Sequence, residues 1–201
     1  EATAADLKWL ADPAEEPEPF GDGGTKMAWN TFNVVSIYPN GNPVMSDVNQ
    51  RWVGDCCACA VIASMAYLYP RFVKHIIKDN MDKTYTVTMY DPKGKQISVG
   101  VGGDYFIGNS GDLGALGGRN KEVTWATILE KAMIKWNQIY QGSSNVGGIG
   151  TEYVSAIFTG DGESVGFGAN ALIAEDLQRA VEVSLKQGRL VIGGFTRSGE
   201  Q

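Results

Sequence analysis

Apolar residues run almost unbroken from Cys56 to Tyr69 and stop at Pro70, which predicts a helix from about Asp55 to Leu68. It is apolar on every side, so it is expected inside the domain and not on its surface. Phe72, Val73, Ile76 and Ile77 then predict a short amphipathic helix over 71–78. Period-two alternation in Thr84–Tyr90 and again in Gln96–Val101, either side of Asp91-Pro92-Lys93-Gly94, predicts a β-hairpin. Helical spacing returns over 122–140 through Val123, Ile128, Leu129, Ala132, Met133 and Trp136, with Glu130 and Lys131 on the outer face. Shorter helical patterns cover 4–11, 154–158 and 175–186, the last capped by Gly188, and Leu190–Phe195 begins a buried strand. A strand-prone run, Trp29, Phe32, Val34, Val35, Ile37 and Tyr38, ends in the turn Pro39-Asn40-Gly41-Asn42-Pro43.

Two glycine-rich stretches separate these elements. The first, 108–120, holds five glycines and is expected as a surface loop. The second, 142–150, exposes backbone that a peptide can approach closely. Gly100-Val101-Gly102-Gly103 lacks the Gly-Lys-Ser/Thr ending of a phosphate cradle and reads as a bulge or strand exit. Residues 1–24 form an acidic, Pro-rich N-terminal arm, either a linker or a flexible tail, and 25–201 form the folded domain.

Composition narrows the function classes. A chain of 201 residues with 43% hydrophobic content and five tryptophans can build one sizeable core. Its net charge of -6 argues against nucleic acid, and no apolar stretch is long enough to predict a membrane span. The sequence opens on Glu1 and not on Met, so a leader was removed or the chain starts inside a longer product; it would then be secreted or in the cell envelope, and cytoplasmic otherwise. Cys56, Cys57 and Cys59 are too close together for a disulfide framework, and with one histidine, His75, they make no zinc site.

Cys56 at the start of a helix meets unpaired N–H groups and a partial positive charge, an environment that favours a thiolate. Gln50, six residues upstream, supplies an amide that can stabilise the oxyanion formed when a thiolate attacks a carbonyl. His75 does not qualify as the base: a continuous helix would put it roughly 28 Å from Cys56.

Asp47-Val48-Asn49-Gln50, Gly54-Asp55-Cys56 and Ala60–Ala66 resemble the nucleophile region of the calpain family of papain-like cysteine peptidases. Trp125–Ala132 resembles the family's second signature helix, followed by Tyr140 and the pair Gly147-Gly148. The resemblance implies an α+β, papain-like cysteine protease fold, with 25–201 as its mainly helical, nucleophile-bearing half carrying a small β-hairpin or sheet. It implies Cys56 as nucleophile, Gln50 as oxyanion donor and Gly147 and Gly148 as the lining of a groove for a protein or peptide substrate. It also implies a Ca²⁺ site at Asp47, with Glu122 offset by one residue from the partner position; the alternative makes Asp47 a turn residue and Glu122 a helix N-terminal charge.

Three departures accompany the resemblance. Cys57 replaces a tryptophan, Arg51 replaces a glycine, and the family's histidine and asparagine are missing. In papain-like enzymes the histidine follows the cysteine by about 130–150 residues, slightly more in calpains, which falls just past Gln201. The expectation is a cysteine endopeptidase whose His and Asn come from a companion chain or a lost segment. The alternatives are a catalytically silent peptide-binding or regulatory module and a Cys acyl transferase or amidase.

Overall fold

The computed structural model describes residues 1–22, 25–108, 110–166, 168 and 171–194. The chain divides into two compact units, residues 1–163 and 164–201. The first carries α1 (Ala4–Ala11), β1 (Gly21–Asp22), β2 (Thr25–Lys26), β3 (Ala28–Thr31), a single 3₁₀ turn at Met45–Asp47, α2 (Cys56–Leu68) and α3 (Pro70–Ile76). It continues through β4 (Ile77–Asp79), β5 (Tyr85–Tyr90), β6 (Gln96–Val101), β7 (Asp104–Ile107), α4 (Trp125–Gln141) and α5 (Thr151–Thr159). The second unit contains α6 (Ala174–Lys186). The class is mixed α+β, with small antiparallel sheets.

The hairpin forms in the register its alternation predicts, Tyr85 opposite Val101 and Tyr90 opposite Gln96. Tyr85, Val87 and Met89 point into the core with Ile97, Val99 and Val101. β4 adds a third strand on the β5 side, where the sequence predicts helix through Lys78. The helix stops at Ile76 because the β4 backbone finds sheet partners, a tertiary preference that local periodicity does not carry. In the strand-prone run 26–43 Lys26 pairs with Gly21 and Ala28–Thr31 pairs with β7, and the rest forms no strand.

Four further expectations are corrected. α2 buries Ala58, Val61, Ile62, Met65 and Ala66 on one face, but Tyr67 is 72% exposed and Cys56 is open to solvent. The glycine stretch 108–120 is largely interior: Leu113, Ala115 and Leu116 are buried. Its backbone is satisfied there by Trp52 N–H on Gly114 O (3.1 Å), Asn49 N–H on Gly117 O (3.0 Å) and Thr127 Oγ1 on Leu116 O (2.5 Å). Glu130 and Lys131 are inside, at 1% and 2% exposure. Finally, residues 190–194 form no strand, and Phe195 lies outside the described residues.

The buried lysines explain how the N-terminal segment is held. Lys131 and Lys135, one helical turn apart, share a face of α4. Lys131 Nζ pairs with Glu16 (2.6 Å to Oε2) and donates to Asp104 O; Lys135 Nζ donates to Asp12 O and Gly100 O, both 2.8 Å. Lys135 also sits 4.9 Å from the Trp9 ring centroid, and Lys131 sits 4.7 Å from that of Trp29. Each buried ammonium is thus paired or hydrogen-bonded, the condition for keeping a charge inside. Burial nevertheless lowers both lysines, Lys135 to about 8, and raises Glu16. α1 packs on β6 and α4, with Leu10 fully buried, and Pro17 O accepts Trp29 Nε1 at 2.8 Å.

This segment crosses β6 at a glycine. A Cβ on Gly100 would collide with Ala11 O and the Pro13 nitrogen, backbone atoms that cannot rotate away. Gly100→Ala is therefore expected to cost about 1–3 kcal/mol, in the range of other overpacking substitutions. Urea unfolding should read that loss, and limited proteolysis should show faster cleavage within residues 1–20.

Candidate functional site

The site is built where α2 begins. Asp55 is the N-cap residue of α2, but its side chain makes no cap hydrogen bond, and Cys56 is the first helical residue, with a free, exposed thiol. The strand-like segment before it is fastened to the interior glycine loop. Asn49 bridges Gly117, Arg51 Nη2 donates to Gly118 O, and the Trp52 indole lies against Gly108 and Gly114. The bulk that Arg51 adds is thereby directed to this loop. Only glycine at 108 and 114 lets the indole approach so closely.

Gln50 is exposed, and its Nε2 donates one N–H to Val53 O at 2.9 Å. A primary amide carries two such donors, so the bond orients the group and leaves the second N–H for an incoming oxygen.

Gly147 and Gly148 come to the same place from the other side. Gly148 N–H donates to Gly54 O at 3.2 Å, two residues ahead of Cys56. Gly148 has φ +74°, a conformation that favours glycine, and Asn145 Oδ1 accepts Gly147 N–H at 2.9 Å. Asn137 on α4 fixes the loop through Nδ2 to Ser143 O (2.8 Å) and Asn145 O (3.1 Å). Beside the glycines opens a cleft of about 300 Å³ lined by Trp136, Asn137, Gln141, Asn145, Gly147–Gly150 and Tyr153.

His75 stands apart. α3 is bent from α2 by 113° at Tyr69–Pro70, the break that Pro70 predicts, so the distance along one continuous helix does not apply. From Cys56 to Leu68 the helix still rises roughly 18 Å, and seven residues leaving at that angle return only a few ångströms of it. His75 is exposed on the last turn of α3.

The other two cysteines have different surroundings. Burial first, then Cys56, Glu152 and Asp55, raise the half-buried Cys57 thiol. Burial first, then Asp55 and Glu130, hold Cys59 well above the ordinary thiol range, and its Sγ–H donates to Asp55 Oδ1 at 3.4 Å.

The calcium reading does not fit the side chains. Asp47 is 2% exposed and its carboxylate already receives three donors: Asn40 Nδ2 (2.9 Å) on Oδ1, and Val44 N (3.2 Å) and Trp125 Nε1 (2.7 Å) on Oδ2. The Glu122 side chain lies against Gly118 instead. Among the described residues no group of three or more His, Cys, Asp or Glu side chains could hold a metal ion. No single described helix is long and apolar enough to cross a membrane; the bent pair α2 and α3 meets that test only when joined.

Sequence reasoning missed Asp55, Glu130 and Asn137. Asp55 stood inside the nucleophile motif, which was a usable signal. The other two looked like ordinary polar positions of an amphipathic helix.

With this geometry in view, the family model described as calpain family cysteine protease matches residues 29–198. No curated protein matches the chain. Asp47→Ala, which strands the Trp125 and Asn40 donors in the interior, is expected to lower stability by about 1–3 kcal/mol for each donor left unsatisfied. Calcium should leave the unfolding midpoint of the parent protein unmoved, and a rise on adding calcium would show that the Asp47 donors can be displaced.

Proposed function

Because the chain belongs to the calpain family of cysteine proteases, we propose that it hydrolyses peptide bonds through the Cys56 thiolate, on a papain-like fold. Its histidine and asparagine come from a polypeptide segment outside these 201 residues. The observation that carries the reading is the Gly148 N–H to Gly54 O bond, which seats the glycine pair beside the nucleophile's turn.

A substrate strand laid along Gly147 and Gly148 would meet no Cβ at those two positions and would run beside the cleft walled by Trp136 and Tyr153. Its scissile carbonyl carbon would be attacked by the Cys56 sulfur, forming the S–C bond while charge moves to oxygen. The second N–H of Gln50 and the backbone N–H of Cys56 would donate hydrogen bonds to that oxygen. Collapse of the intermediate expels the amine, which takes its proton from an imidazolium, and water drawn by the imidazole then releases the acyl group. The single histidine of the chain is badly placed for this, so the imidazole is assigned to the further segment. Calcium enters no step.

The complete protein should be labelled stoichiometrically at Cys56 by a thiol-directed peptide electrophile, with one adduct found by peptide mapping. Cys56→Ala should abolish hydrolysis. Gln50→Ala should reduce kcat by about 10²–10³, the usual cost of one oxyanion donor, with KM little changed. Peptide binding without any labelling would instead make the chain a silent peptide-binding module, and turnover of esters or amides but not peptides would make it an acyl transferase or amidase.

A further inference from the structure

The turn that presents Cys56 rests on two buried carboxyl groups. Asp55 and Glu130 are each 1% exposed, and their carboxyl groups lie close enough to act on one another. One oxygen of each has a donor: Asp55 Oδ1 receives the Cys59 thiol at 3.4 Å, and Glu130 Oε2 receives Leu116 N–H at 2.9 Å. The remaining oxygens, Asp55 Oδ2 and Glu130 Oε1, are buried with no partner. An ionised carboxylate only accepts, so two of them in contact would leave both oxygens orphaned and two like charges in the interior. One proton between them resolves both problems.

We propose that Asp55 and Glu130 share a single proton and act as a positioning pair, which holds the Gly54-Asp55-Cys56 turn against α4 and makes the presentation of Cys56 sensitive to pH. Asp55 explains this role by what it does not do. An aspartate at an N-cap ordinarily accepts the N–H of the second or third helical residue, and this one turns its carboxyl inward. The Asp55 carbonyl still accepts Cys59 N–H at 3.0 Å, so the side chain anchors the first turn of α2 from below while Gly148 holds Gly54 from above.

The surroundings agree. The groups acting on the pair are each other and the Cys59 thiol, with Cys56, Cys57 and Glu152 nearby, and none of these is a cation. Burial raises Asp55 to about 6 and Glu130 well above the usual carboxylate range, as expected for two carboxyls that cannot both ionise. The folded chain thus holds this proton more tightly than the unfolded chain, whose carboxyls titrate near about 4. The stabilisation is complete below that value and is lost as pH rises through about 6. Above it Asp55 carries a negative charge behind Cys56, while Glu130, held well above the usual carboxylate range, keeps the proton that joins the two carboxyls.

The proton does not depend on Cys56 being a nucleophile, whereas its consequence for reactivity rests on the function proposed above. Two measurements on the complete protein keep these apart. Carbon-13 NMR of the side-chain carboxyls, assigned with Asp55→Asn and Glu130→Gln, should show one titration near pH 6. Asp55→Asn, which removes the charge that raises Glu130, should move the Glu130 titration down by about one unit or more, a tenfold weaker hold on the proton. Ordinary titrations at both residues, or a Glu130 titration unmoved by Asp55→Asn, would overturn the shared proton.

The second readout is the pH dependence of Cys56 alkylation by iodoacetamide, followed by peptide mass spectrometry. In the parent protein the rate should rise less steeply around pH 6 than a single thiol titration, and in Asp55→Asn, which cannot acquire that charge, the flattening should vanish. Identical profiles in the two proteins would overturn the coupling. Failure of the peptide electrophile to label Cys56, with the carboxyl titration intact, would count against the proposed protease alone.

Discussion

The structure depends on the polar side chains that α4 carries into the interior. Glu130 reaches the glycine loop at Leu116 and the carboxyl of Asp55; Lys131 reaches Glu16 and the β7 strand; Lys135 reaches Asp12 and Gly100; Asn137 reaches the loop at Ser143 and Asn145. Five chain segments, 12–16, Asp55, 100–104, Leu116 and 143–145, are thus tied to one helix by its polar side chains. Hydrophobic contact alone tolerates sliding, whereas a buried donor finds its acceptor at one position only. The Gly54–Cys56 turn and the glycine pair meet at the Gly148 N–H to Gly54 O bond, and α4 reaches both.

That arrangement decides what the sequence could reveal. Cys56 at a helix start, Gln50 upstream, the β5–β6 hairpin and the Gly147-Gly148 pair were legible because each is a local pattern. The calpain resemblance was legible for the same reason, being carried by two short motifs. Glu130 and Lys131 were read as outward facing because their helix positions were judged by polarity, and polarity says nothing of a partner 14 residues away or more. The glycine loop was misread likewise: its residues look like a surface connection, but the backbone groups of 113–118 are satisfied by Trp52, Asn49, Thr127 and Glu130. β4 formed where a helix was predicted because β5 offered it hydrogen bonds.

Asp47 teaches the complementary lesson. The resemblance suggested a cation ligand, while the folded chain gives its carboxylate to Trp125, Asn40 and Val44. Through the Trp125 indole that carboxylate joins the 3₁₀ turn at Met45–Asp47 to the start of α4. A motif position transfers between relatives more readily than the chemistry performed there.

Three thiols within four positions would ordinarily make a chain prone to mixed adducts and misdirected oxidation. Here Cys59 is kept as an un-ionised donor beneath Asp55, and Cys57 is drawn half into the protein. Reactivity follows the thiolate and its access. Burial first, and the carboxyls under the helix second, thus confer chemoselectivity: an electrophile arriving from solvent finds Cys56 in the open, with the thiols of Cys57 and Cys59 both raised.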